Sequence, residues 1–95
     1  MMTTMTKTKK SIKRPEKYHY FFHYTRGNYY QISNGLKKRY PKSMMGSGTW
    51  LTENRFDLHF YCTARQYKNI VACARRRYGP IADVIRFTNK EYNAD

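Results

Sequence analysis

The sequence predicts a single α+β domain, a four-stranded antiparallel sheet with two helices on one face. Three observations predict it. Residues 17–88 switch between strand and helix periodicity in the order strand, helix, strand, strand, helix, strand. Both helical segments open on capping residues and close on breakers. The 95 residues also hold ten Tyr, five Phe and one Trp, rings bulky enough to build a core in a chain that has room for one domain only.

The first strand is KYHYFFHY, residues 17–24, dense in strand formers and closed by the turn cluster Thr25-Arg26-Gly27-Asn28. Asn28 is the N-cap of a helix whose apolar face is Tyr29, Ile32, Leu36 and Tyr40; Gly35 weakens it and Pro41 stops it. Residues 44–48 read as a loop. Residues 49–51 and 55–61 then form a hairpin around Glu53-Asn54, with Leu51 facing Phe56 and Thr49 facing Leu58. In that register Thr49, Leu51, Phe56, Leu58 and Phe60 share one face, and Trp50, Asp57, His59 and Tyr61 the other. Thr63 and Gln66 fit a capping box. The helix they begin carries Tyr67, Ile70, Val71, Ala74 and Tyr78 on one stripe, has Arg75, Arg76 and Arg77 in its last turn, and ends at Gly79-Pro80. Residues 81–87 (IADVIRF) make the last strand.

Two split βαβ units in this order are the ferredoxin-like βαββαβ pattern, and right-handed crossovers make it the natural closure. The alternative is an irregular α+β fold with the first helix broken at Gly35. Flanking the domain are a basic arm over residues 1–16, too poor in apolar residues to order itself, and a polar tail over residues 89–95.

Charge sets the function class. Nineteen Lys and Arg against six Asp and Glu leave a formal charge of +13, which repels itself in a compact state and calls for a polyanion or an acidic protein surface as partner. No apolar run is long enough for a membrane span, and the first residues lack the apolar stretch of a secretory signal. Two cysteines, Cys62 at the start of the second helical region and Cys73 within it, make neither a disulfide framework nor a zinc site. Both read as reduced thiols of a cytoplasmic protein, in a host cell if the chain is viral.

If Tyr18, Tyr20 and Phe22 point to the core, then His19, Phe21 and His23 join Trp50, Asp57, His59, Tyr61 and Arg86 on the open sheet face; a one-residue slip would bury Phe21 and expose Tyr20 instead. Phe21, Trp50, His59 and Tyr61 would stack unpaired bases and Arg86 would meet phosphates. Covering a dimer interface is the competing use of the same rings. In its order of elements the chain resembles the RNA-recognition-motif family over about 70 residues. Its Arg55-Phe56-Asp57-Leu58-His59-Phe60-Tyr61 has the basic residue of that family's third strand, but lacks the glycine and puts Asp57 where an aromatic belongs. Lys37, Lys38, Arg39 and Lys42 close the first helix; Arg65, Lys68, Arg75, Arg76 and Arg77 stud the second, with no acid between Thr63 and Ile81.

Three histidines, His19, His23 and His59, could act as acid and base in a metal-independent ribonuclease. His59-Phe60-Tyr61 has one histidine where rolling-circle replication initiators pair two, and Tyr67 belongs to the apolar stripe. His19 and His23 diverge by about 13 Å along a strand, which disfavours a zinc site. Histidine as a half-buried ring is the simpler account, so neither catalysis, metal nor cofactor is expected. The residues predict a small nucleic-acid-binding protein, for RNA or single strands. In composition the chain is similar to accessory proteins of large DNA phages, which implies the alternative: an inhibitor that docks on a host nuclease, toxin or ribonucleoprotein, through an acidic surface or shared RNA.

Overall fold

The computed structural model describes residues 15–50 and 52–94. The predicted basic arm therefore falls almost wholly outside the described residues, as does Leu51 with its predicted pairing to Phe56. The elements are β1 (Lys17–Tyr24), α1 (Tyr29–Arg39), β2 (Met44–Trp50), β3 (Thr52–Thr63), α2 (Ala64–Tyr78), β4 (Asp83–Thr88) and α3 (Asn89–Tyr92). The strands form one four-stranded sheet in the order β2-β3-β1-β4, every neighbouring pair antiparallel. The fold is α+β, with three helices rather than two.

Strict alternation in β1 sends Tyr20, Phe22 and Tyr24 into the core. They meet Phe56, Leu58, Phe60 and Cys62 of β3, with Ile32 and Leu36 of α1 and Ile70, Val71 and Ala74 of α2 closing over them. Both long helices thus cover the same sheet face. Ring pairs fill it tightly: Tyr20 stacks on Tyr67 at 4.2 Å, Tyr24 on Phe56 at 4.8 Å, and Phe22 lies 4.8 Å from Phe60. Asn28 caps α1 by accepting from the Gln31 N–H. Thr63 and Gln66 complete the capping box of α2, and Gly79 ends that helix at φ +92°, a backbone region that glycine enters without steric cost.

The hairpin differs from its predicted form. Residues 44–48 are strand, not loop, because β2 pairs with β3 from Met44 onward and satisfies its backbone there. Glu53 and Asn54 lie within β3. Irregularities between Met44 and Gly46 and between Thr49 and Trp50 shift the register, so Thr49 faces Phe56 and not Leu58. Cys62 belongs to β3, not to the second helix, and burial pushes its thiol up to about 11. Residues 81 and 82 precede β4, which instead runs on to Thr88. The polar tail begins with a helical turn, α3, whose capping box pairs Thr88 with Glu91. No helix among the described residues is long and apolar enough to cross a membrane.

Gly35 in mid-α1 has a packing reason: a Cβ there would overlap the Tyr78 hydroxyl at the end of α2. Gly35→Ala should therefore destabilise the protein, although alanine favours a helix by about 1 kcal/mol over glycine. In a Tyr78→Ala background the same change should stabilise by about that amount. Urea denaturation of the four proteins in this cycle measures it; stabilisation in both backgrounds would refute the contact.

Candidate nucleic-acid interface

The sheet face opposite α1 and α2 carries His19, Phe21 and His23 from β1. Opposite them in register stand Tyr61, His59 and Asp57 of β3, and Phe87, Ile85 and Asp83 of β4. Phe21 stacks on His59 at 4.3 Å. Trp50 meets the His23 ring edge-on at 6.1 Å and is 54% exposed. Lys17 extends its Nζ over the Tyr61 ring at 5.6 Å. Phe21, Trp50, His59 and Tyr61 therefore share this face. Ile85 and Phe87, also exposed on it, enlarge the apolar surface beyond what alternation in residues 81–87 indicated.

Arg86 is a correction. It pairs with Tyr20, a core-facing residue, so it lies on the helix side of the edge strand β4 with its guanidinium 4.7 Å over the Tyr18 ring. There it lines a groove with Tyr67 and Lys68. Arg86 is exposed there, on the side of the sheet away from the stacked rings.

All three histidines are held. His23 Nδ1 donates to Asp57 Oδ1 at 2.6 Å. His19 Nε2 lies 3.0 Å from Asn89 Oδ1, which also accepts from Asn93, so that nitrogen carries the proton. His19 Nδ1 is then the acceptor for His59 Nε2 at 2.8 Å. Tyr92 of α3 stacks on His19 at 3.9 Å and Tyr61 stacks on it at 4.4 Å. This clamp leaves His19 only 6% exposed, although alternation points it away from the core. Among the described residues, no group of three His, Cys, Asp or Glu is placed to hold a metal ion.

Burial, reinforced by the neighbouring His19, pushes the His59 imidazole below its ordinary value of 6.5. The docked state thus prefers His59 neutral, and below about pH 6.5 the undocked chain takes up protons that the docked one refuses. Attachment of α3 should be complete above that pH and weaken as the pH falls through the His59 value. Around the pair stand Phe21, Tyr61, Asn89 and Tyr92, none of them an acid; Asp57, which lines the same hollow as His59, is held by His23, and Lys17 lies over the Tyr61 ring. Hydrogen exchange at the α3 amides between about pH 8 and about pH 5 reads the effect. His59→Phe should flatten it, and protection that rises on acidification would contradict it.

The predicted basic residues occupy the helix side, and all of them are exposed. Lys38 and Arg39 from the end of α1 meet Arg77 and Tyr78 from the end of α2 around one groove, with Gly35 at its base. Arg75 and Arg76 extend this cluster along the last turn of α2. Lys42 follows α1, while Arg65 and Lys68 lie near the other end of α2. The predicted clusters of the two helices are thus brought together only at their C-terminal turns. The chain matches no protein-family model, no curated protein and no solved structure.

Alternation alone does not reveal how the two sides connect. On the open face Gly46 and Gly48 stand opposite His59 and Asp57, and a Cβ at either glycine would meet nothing within 4 Å. They open a hollow of about 230 Å³ bounded by Phe21, Asp57 and His59. Gly46 and Ser47 also line a groove on the α1 side, with Tyr29, Asn34 and Lys37. Lys37 adjoins Lys38 and Arg39 in sequence. A path therefore runs from the open face, over the glycine edge, to the basic helix ends.

Proposed function

We propose that this chain is a small nucleic-acid-binding protein that takes RNA or another single strand, on a ferredoxin-like βαββαβ framework. The order β2-β3-β1-β4, in which each of two βαβ units is split by a strand of the other, supports the framework. The observation that carries the function is the path around the β2 edge, which shares Gly46 and Ser47 between the aromatic hollow and the Lys37 groove. Stacking surface and cations lie on opposite sides of the sheet. A flexible strand can follow the turn between them, whereas a duplex stays straight over roughly 150 base pairs and cannot. Bases stack at Phe21, Trp50 and His59, and phosphates follow Lys37, Lys38, Arg39 and Arg77, with Arg65, Lys68, Arg75, Arg76 and Arg86 widening the cationic surface.

We assign binding and not catalysis. Each imidazole is committed: His23 to Asp57, His59 to His19, and His19 to Asn89. No metal or cofactor enters this reading, and the partner is RNA in the cytoplasm. The exposed Trp50 and Met45 along the edge strand β2 favour a second reading, a regulator that docks on a host nuclease, toxin or ribonucleoprotein.

The test is anisotropy of labelled single-stranded RNA, and of a duplex of equal length, over a series of salt concentrations. Four phosphate contacts predict a log–log slope of about −3 for the single strand, with the duplex weaker and the RNA left intact. No binding at low salt would remove the proposal and leave the protein-docking reading.

A further inference from the structure

Resting on the single-strand reading, we infer that the hollow above Gly46 and Gly48 is a base pocket selective for guanine. Three observations lead there. Both glycines face open space, so the floor is bare backbone on which a flat ring can lie. Phe21 and His59, parallel to within 11°, form an aromatic wall. Asp57 contributes its carboxylate to the rim, 29% exposed and fixed in place by the His23 Nδ1–H bond at 2.6 Å.

A carboxylate among so many cations would repel a phosphate, so what enters beside it must present N–H groups. The Watson–Crick edges of the four bases differ in this respect. Guanine offers two adjacent donors, N1–H and the N2 amino group, which match the two oxygens of one carboxylate. Adenine and cytosine put a ring-nitrogen acceptor beside their amino group, and that lone pair would face the second oxygen. Uracil flanks its N3–H with two carbonyls, so both neighbours repel. Only guanine satisfies the carboxylate without a like-charged contact. His23 fixes the direction in which Asp57 points, which makes it a positioning residue for the pocket.

The experiment compares an oligouridine with the same oligomer carrying one central guanine, and with central adenine, cytosine or inosine in its place, against the full chain. A well-formed two-donor contact predicts about tenfold tighter binding for the guanine oligomer. Inosine keeps N1–H and lacks the amino group, so it should lose most of that gain. Asp57→Asn should abolish the preference, leaving the guanine oligomer no tighter than oligouridine. Gly46→Val, which fills the floor at an edge position with open space around it, should also remove the preference, and because the strand crosses this edge it should weaken every oligomer as well; it guards against a local disturbance around His23. Equal affinity for all oligomers, inosine equal to guanine, or a preference that survives Asp57→Asn would overturn the pocket and leave RNA binding standing. No binding of any oligomer at low salt would overturn both.

Discussion

Truncating Phe60 to alanine should cost about 3–5 kcal/mol, the loss typical of a large ring removed from a closed core. Phe60 is fully buried in the middle of β3, 4.8 Å from Phe22. Domains hold roughly 0.05–0.15 kcal/mol of stability per residue, about 5–14 kcal/mol for a chain of this size, so the change removes a large share of the total. The melting temperature should fall by roughly 12–40 °C, at about 4–8 °C per kcal/mol. Phe21→Ala should behave differently. Phe21 is half-buried on the other face of β1, where its main contact is the stack on His59, so roughly 1 kcal/mol is at stake. Thermal denaturation followed by circular dichroism separates the two. Equal losses would mean that the sheet has no functional face, because both sides would then be structural.

That contrast rests on the alternation in β1, and alternation is what made most of the fold legible. Tyr20, Phe22 and Tyr24 fall on one side of KYHYFFHY and pack under the helices. Asn28, Thr63 with Gln66, and Gly79 are local signals whose meaning does not depend on tertiary context, and each marks a helix end. β2 was illegible for the converse reason. Met-Met-Gly-Ser-Gly has no apolar alternation, and its strand conformation comes from backbone pairing with β3, which no side chain announces. Its two glycines suggest a turn in one dimension; in three they keep the hollow open.

Arg86 shows how a register can hide. In IADVIRF apolar residues do not alternate, so only pairing with β1 decides which side each one takes, and that pairing sets Arg86 opposite Tyr20. The start of α3 carries a local signal of its own. Thr88-Asn89-Lys90-Glu91 carries the same Thr-to-Glu/Gln spacing as Thr63 to Gln66, within a segment that composition marks only as polar. Its docking through Asn89 and Tyr92 was not legible, since it depends on the sheet register that sets His19 of β1 beside the end of β4. The basic residues could be listed from sequence, but which of them meet could not. Lys38, Arg39 and Arg77 converge because Gly35 lets Tyr78 pack close against α1.

Reversing Lys38, Arg39 and Arg77 together to glutamate should reduce single-stranded RNA affinity by more than a hundredfold near 0.1 M salt. Counterion release alone accounts for about 0.7 decade per phosphate contact under those conditions, so losing three contacts removes about two decades, and the new like-charge repulsion adds to that. The salt slope should become shallower by about 2. All three side chains are exposed and none supports the core, so the fold should survive; acids in the last turns of α1 and α2 oppose the helix dipole, which lowers the melting temperature without unfolding the domain. The combination is diagnostic: lower affinity with an unchanged slope would mean a conformational effect, and a shallower slope with the fold retained means lost phosphates. If the triple change has no effect and deletion of residues 1–14 flattens the slope instead, the phosphate contacts belong to the N-terminal residues. The groove between the helices would then have no part in binding, and the route over Gly46 would lose its purpose.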